Sequence, residues 1–259
     1  MTKFSANLGF LWTELALPDA IRAAKRAGFD AVECHWPFET AAADVNAALR
    51  ETGLPMLGLN TRRGDVAGGE NGLAAVPGRE KDARRYIDEA LAYAEAIDCR
   101  NVHVMAGFTD RGDKAESVFR SNLAYAADQA IGLEKTILIE PLNHRDAPGY
   151  HLSDLDAALE TLGAVGKPNI KVMFDCYHLQ IMQGDLVTRL RTHLHNIGHI
   201  QIAAVPDRGE PDQGEVNYAW LFGAIDEMGW EGYVGAEYKP RTNTDEGLGW
   251  LKSFRAGGD

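Results

Sequence analysis

Eight short apolar or β-branched runs recur along the chain, beginning at residues 4, 29, 56, 101, 136, 170, 198 and 232. They read FSANL, FDAVECHW, MLGLN, NVHVMAG, TILIEPLN, IKVMFD, GHIQIA and GYVGAEY. Helical patterns lie between them, so the repeating unit is a strand followed by a helix. LPDAIRAAKRAG has Pro18 near its start, Ile21, Ala24 and Ala27 on one side and Gly28 as a stop. GREKDARRYIDEALAYAEAIDC sets Ala83, Ile87, Ala90, Leu91 and Ala94 at helical spacing. SDLDAALETLG opens on a capping-box-like Ser153/Asp156 pair and closes on Gly163. Strands apolar on both faces, each followed by a helix, predict a parallel sheet. Eight such units in 259 residues predict an α/β chain folded as one (β/α)8 TIM barrel domain. The competing open, doubly wound sheet usually carries a glycine-rich phosphate turn, and neither GxGxxG nor GxxxxGK[ST] occurs.

In a barrel of this kind the C-terminal strand ends converge on the active site. Glu140 closes TILIE, Asp175 closes IKVMFD, Gln201 ends GHIQ and Glu237 closes YVGAE, one on each of the last four strands. A single carboxylate after a strand is commonly a helix cap, but three gathered in one place repel each other and resist desolvation unless a cation joins them. Oxygen-only ligands suit a hard ion, so these four predict a divalent metal site for Mg2+ or Mn2+. His178 follows Asp175 by three, Asp146 follows Glu140 by six and Arg208 follows Gln201 by seven. Arg208 supplies a local cation for a substrate oxygen, or else an ion pair with Asp207 or Glu210. Residues 60–80, NTRRGDVAGGENGLAAVPGRE, carry five glycines directly after the third strand and read as an active-site lid.

Other chemistries find less support. The net charge is −12 with no block of lysine or arginine, which argues against nucleic acid and anionic membranes as partners and leaves a small molecule. No apolar run reaches membrane-spanning length and MTKFSANLGF is not a signal peptide, so a cytoplasmic location is expected. Self-association into a homo-oligomer is compatible with the composition. Cys34, Cys99 and Cys176 are odd in number and widely spaced, as expected of reduced, buried thiols. His193, His195 and His199 tempt as a cluster, but two precede the seventh strand at the wrong end of the barrel, so a structural role is expected. With five serines, no GxSxG and no HExxH, nucleophilic catalysis is not expected.

The segments KFSANLGFLWTE, AAKRAGFDAVE, GLAAVPGRE, IEPLNHRDAPGYHL, DCYHLQIMQGDL, GHIQIAAVPDRGEPDQGEVNY and GYVGAEYKP resemble the hydroxypyruvate isomerase family of xylose-isomerase-like barrels over essentially the whole chain. The resemblance implies an isomerase that converts hydroxypyruvate to tartronate semialdehyde by proton transfer through an enediolate. It implies Glu140 and Glu237 as the acid/base pair and Glu140, Asp175, Gln201 and Glu237 as ligands of the metal. His178 and Arg208 match positions that hold substrate oxygens in the related epimerases, Asp146 matches a nearby acidic position, and Asn60 is a further substrate-binding candidate. A 2-oxo-tetronate isomerase or a ketose 3-epimerase on the same site is the alternative. A trinuclear-zinc phosphodiesterase would need more histidines at strand ends. Where the family reads Asn-Leu-Pro and then Gly-Asp-Trp, this chain has Asn60, Thr61, Arg62, Arg63, Gly64, Asp65 and Val66, a change expected to alter which acid is accepted. His35 likewise stands where the family is aromatic or apolar.

Overall fold

The computed structural model describes residues 1–256. Its strands are β1 (Lys3–Asn7), β2 (Ala31–Glu33), β3 (Gly58–Asn60), β4 (Asn101–His103), β5 (Thr136–Ile139), β6 (Ile170–Asp175), β7 (Ile197–Ile202) and β8 (Tyr233–Ala236). The helices that follow are α1 (Leu17–Ala27), α2 (Ala42–Thr52), α3 (Glu80–Ala96), α4 (Asp113–Ile131), α5 (Leu155–Val165), the pair α6 (Cys176–Met182) and α7 (Leu186–His193), α8 (Tyr218–Glu227) and α9 (Gly249–Ala256). All strands run parallel, in the order β2-β1-β8-β7-β6-β5-β4-β3. The two ends of that order meet. Val32 N donates to Pro55 O (3.1 Å), Leu57 N to Val32 O (2.8 Å) and Cys34 N to Gly58 O (3.0 Å), which closes the sheet into a barrel. The predicted (β/α)8 architecture is the observed one. No helix of the described residues is long and apolar enough to cross a membrane.

Alternation along each strand builds two cores. Phe4 faces the helices, where Phe222 (5.1 Å between ring centres) and Trp250 (5.4 Å) pack edge-on against it. The neighbouring Ser5 and Asn7 are buried too, and Asn7 lines the barrel interior with Leu138, Met173 and His199. That interior retains a cavity of only about 10 Å³, so it is a packed core and not a channel.

Local chemistry sets the element ends. Gly28 and Gly53 stop α1 and α2 in the left-handed region, at φ 93° and 69°, where a side chain would be strained. The α5 boundaries differ from the sequence expectation. Asp154, not Ser153, caps the helix by accepting from Ala157 N (2.9 Å), and the helix runs through Gly163 to stop at Gly166, φ 66°. A glycine lacking any steric need inside a helix costs about 1 kcal/mol, too little to end a helix whose apolar face is buried.

One irregularity positions the site. Between β6 and β7 the register shifts, Val172 pairing with Ile197 but Met173 with His199, so Gly198 is the extra residue of a bulge. The shift puts Gln201 opposite Asp175.

Candidate active site

Each strand carries a polar residue at or within one position of its C-terminal end: Asn7, Glu33, Asn60, His103, Glu140, Asp175, Gln201 and Glu237. Seven of these are buried and Asn60 is half-buried. Sequence reasoning found the last four and Asn60 but passed over Asn7, Glu33 and His103. The signal was present, a polar residue closing each apolar run, but β2 and β4 are only three residues long and so offer little contrast.

Glu140, Asp175 and His178 bring ligand-type atoms within 4.8 Å of one another, all buried. Glu140 Oε1, Asp175 Oδ2, Gln201 Oε1 and His178 Nε2 are buried without a hydrogen-bond partner among the described residues. Leaving such atoms unpaired costs about 1–3 kcal/mol apiece, more for charged groups. The tautomer of His178 decides what it can contribute. Its Nδ1 accepts from the backbone N–H of Asn143 (3.1 Å) and from Asn143 Nδ2 (2.7 Å), and burial holds the ring neutral by lowering its pKa to about 3. The proton therefore sits on Nε2, 3.6 Å from Asp175 and 3.9 Å from Glu140. His178 offers an N–H toward an oxygen and no lone pair toward a cation. Three orphaned oxygens, from Glu140, Asp175 and Gln201, remain as donors, and such a set fits a hard divalent ion.

Glu237 is held differently. Arg208 Nη2 donates to its Oε2 at 2.6 Å, while Asn7 Nδ2 (2.9 Å) and His35 Nε2 (3.0 Å) approach Oε1. A carboxylate only accepts, so His35 carries its proton on Nε2. Burial would raise the pKa of Glu237, but the His35 hydrogen bond and the Arg208 charge together hold it at about 2. Glu140 goes the other way: burial, then the negative charges of Glu237 and Asp175, push it well above the usual carboxylate range. Asp175 is pushed up to about 7 by burial and Glu237, against the pull of Arg208. Two carboxylates with pKa values driven apart are the arrangement required of a proton donor and acceptor.

Arg208 is not paired with its sequence neighbours. Asp207 and Glu210 pair instead with Arg241, at 3.0 and 2.9 Å. Arg208 itself adopts φ 57°, uncommon for a side-chain-bearing residue, and stacks on Phe10 (4.8 Å) and Tyr177 (5.0 Å) with Asp175 and Asp146 each 3.8 Å away. Asp146 accepts from Tyr177 Oη (2.8 Å), which keeps its carboxyl ionised beside the guanidinium.

Beneath the mouth lies a polar layer that the sequence did not suggest. His199 Nε2 stands 2.6 Å from Glu33 Oε2, and Gln201 Nε2 donates to Glu33 Oε1 and Glu237 Oε1, both at 3.4 Å. Those two weak donations turn the amide nitrogen of Gln201 toward the carboxylates and its oxygen away from them. Gly235 makes room, since a Cβ there would collide with Glu33 and His199. His193 and His195 lie outside this assembly, in α7 and the turn after it, and the three cysteines are buried and free.

Above the site opens a cleft of about 360 Å³, lined by Glu140, Glu237, His178, Arg208, Asp146 and Asn60, and also by His35, Trp36, Arg63 and Asn71. The candidates of the sequence analysis thus meet in one place, with Asp175 buried 3.6 Å from His178 and Gln201 3.4 Å from Glu237.

Comparison with known proteins agrees with this architecture. Residues 21–254 match the family model described as xylose isomerase-like TIM barrel. The chain is 47% identical to the 2-oxo-tetronate isomerase of Cupriavidus necator, over 98% of this chain and 99% of that one. It is 38% identical to the hydroxypyruvate isomerase of Escherichia coli, over 98% and 100% of the two chains. A solved structure described as an AP endonuclease, family 2, from Brucella melitensis superposes with a TM-score of 0.94 at 41% identity, covering 98% and 99%.

Proposed function

Because this chain belongs to the xylose isomerase-like TIM barrel family and is an isomerase, we propose that it interconverts a short 2-keto-3-hydroxy acid and its 2-hydroxy-3-oxo isomer. Hydroxypyruvate, giving tartronate semialdehyde, is the substrate favoured here, and a 2-oxo-tetronate is the alternative carried by the Cupriavidus relative. The observation that supports this reading is the meeting of Glu140 and Glu237 across one buried mouth, beside three oxygens that lack partners.

The reaction moves one proton between adjacent carbons through an enediolate. Glu140 and Glu237 stand on strands three apart in an eight-stranded ring, where they can flank a planar intermediate and exchange its proton. His178 Nε2–H and Arg208 point hydrogen-bond donors at the oxygens that gain charge, and Asn143 fixes the His178 tautomer for that task. Glu140, Asp175, Gln201 and Glu237 would hold Mg2+ or Mn2+, which supplies Lewis-acid stabilisation of the developing oxyanion. The lid assigned to residues 60–80 would exclude water by bringing Arg63 and Asn71 over the cleft.

NMR of hydroxypyruvate in deuterated buffer with added Mn2+ tests the reading. Deuterium enters the substrate carbon during turnover, and Glu140→Gln and Glu237→Gln each slow that entry at least ~100-fold while remaining folded. Turnover without any deuterium uptake would replace proton transfer by a hydride shift, and wild-type rates in either variant would remove that glutamate from the mechanism.

A further inference from the structure

The cleft is acidic. Glu140, Glu237 and Asp146 all line it, so a substrate carboxylate entering it meets repulsion unless a cation is reserved for it. Two guanidinium groups are present, Arg208 and Arg63. Arg208 is already engaged by Glu237 at 2.6 Å, with Asp175 and Asp146 each at 3.8 Å. Arg63 has no carboxylate partner among the described residues.

The contacts of Arg63 orient it without satisfying it. Its Nε donates to Asn71 Oδ1 (2.7 Å), and its guanidinium lies 4.9 Å over the Trp36 ring. Together they fix the plane of the group and leave the four N–H bonds of its two terminal nitrogens available, the fork that pairs with a carboxylate through two parallel hydrogen bonds. The adjacent Arg62 shows the contrast. It gives Nε and Nη2 to Glu89 (2.8 and 3.0 Å) and Nη1 to Glu39 (3.2 Å), stacks on Phe38 (4.7 Å), and does not line the cleft.

We propose that Arg63 is the carboxylate anchor of the cleft, the residue that makes it select a keto acid over a neutral ketose of the same length. The identity of the acid rests on the isomerase reading above, whereas the anchor rests on the geometry of Arg63, Trp36 and Asn71.

Calorimetric titration with glycerate, which has the carboxylate and hydroxyls but no keto group to isomerise, separates the two. Loss of charge-assisted hydrogen bonds predicts that Arg63→Gln weakens glycerate binding about 10- to 100-fold. Arg63→Lys, which keeps the charge but loses the fork, falls between Arg63→Gln and wild type, and Arg62→Gln stays within about twofold of wild type. Thermal unfolding reports whether each variant is folded, and Arg63→Lys carries the test should Arg63→Gln not fold. Equal affinity of wild type and both Arg63 variants, an Arg62→Gln loss as large as that of Arg63→Gln, or a wild type that binds no glycerate would overturn the anchor. A wild type that binds glycerate through Arg63 yet exchanges no keto-acid protons would overturn the isomerase reading and leave the anchor standing.

Discussion

At the scale of single residues, Asp175 divides its two oxygens between structure and chemistry. Oδ1 accepts from Tyr177 N–H at 2.7 Å and starts α6, while Oδ2 faces the site without a partner. The ordinary reading of a carboxylate after a strand, a helix cap, and the functional one are both true of the same side chain. Burial first, then the charge of Glu237, raises its pKa to about 7 although Arg208 opposes them. A cation binds the ionised form, so below that pH each ion bound must expel a proton and affinity falls. Mn2+ affinity is therefore expected to rise as the pH climbs through 7, and Asp175→Asn to lessen the dependence, leaving the part that belongs to the raised pKa of Glu140. Calorimetric titration between pH 5.5 and 8 checks this, and a flat wild-type profile would contradict it. Such residues were legible in the sequence because each interrupts an apolar run. The partners were not: nothing in VPDRGEP tells Arg208 to leave Asp207 for Glu237, a choice made by its positive φ and by Arg241 taking both neighbours.

Among the elements, the join of β6 to β7 matters most. Were Gly198 paired in unbroken register, without the bulge, Asp175 would stand opposite the apolar Ile200, and every later side chain of β7 would exchange faces. A bulge needs a residue that fits where two strands press together. A Cβ on Gly198 would lie 2.7 Å from both Leu138 Cδ2 and Lys171 Cβ, closer than real contacts allow. Gly198→Ala is expected to cost about 1–3 kcal/mol by overpacking and to weaken Mn2+ binding through displaced Gln201. Urea unfolding and metal titration of the same variant measure both; a stable variant that binds metal normally would show the bulge to be dispensable. The sequence placed all eight strands within a few residues because pitch and burial survive local noise. It could not show the bulge, since GHIQIA alternates plausibly in either register, and it misplaced the ends of α5, where burial of a helical face outweighs a glycine.

For the molecule as a whole, closure is what turns scattered strand tips into one site. The strand order β2-β1-β8-β7 sets Glu33 and His35 near Gln201 and Glu237, more than 160 positions away in sequence, and the bonds between Val32 and the segment Pro55–Leu57 bring β3 round to complete the ring. A net charge of −12 says nothing of how charge is placed locally, where an arginine is left without an acid in an acidic cleft. In the proposed site Glu140, Asp175, Gln201 and Glu237 would surround a single divalent cation at the barrel mouth. Anomalous diffraction from crystals soaked in Mn2+ tests it directly. One strong peak is expected within bonding distance of Glu140, Asp175 and Gln201, with Glu237 joining them through Oε1 while its Oε2 stays with Arg208. A peak elsewhere, or none, would contradict it.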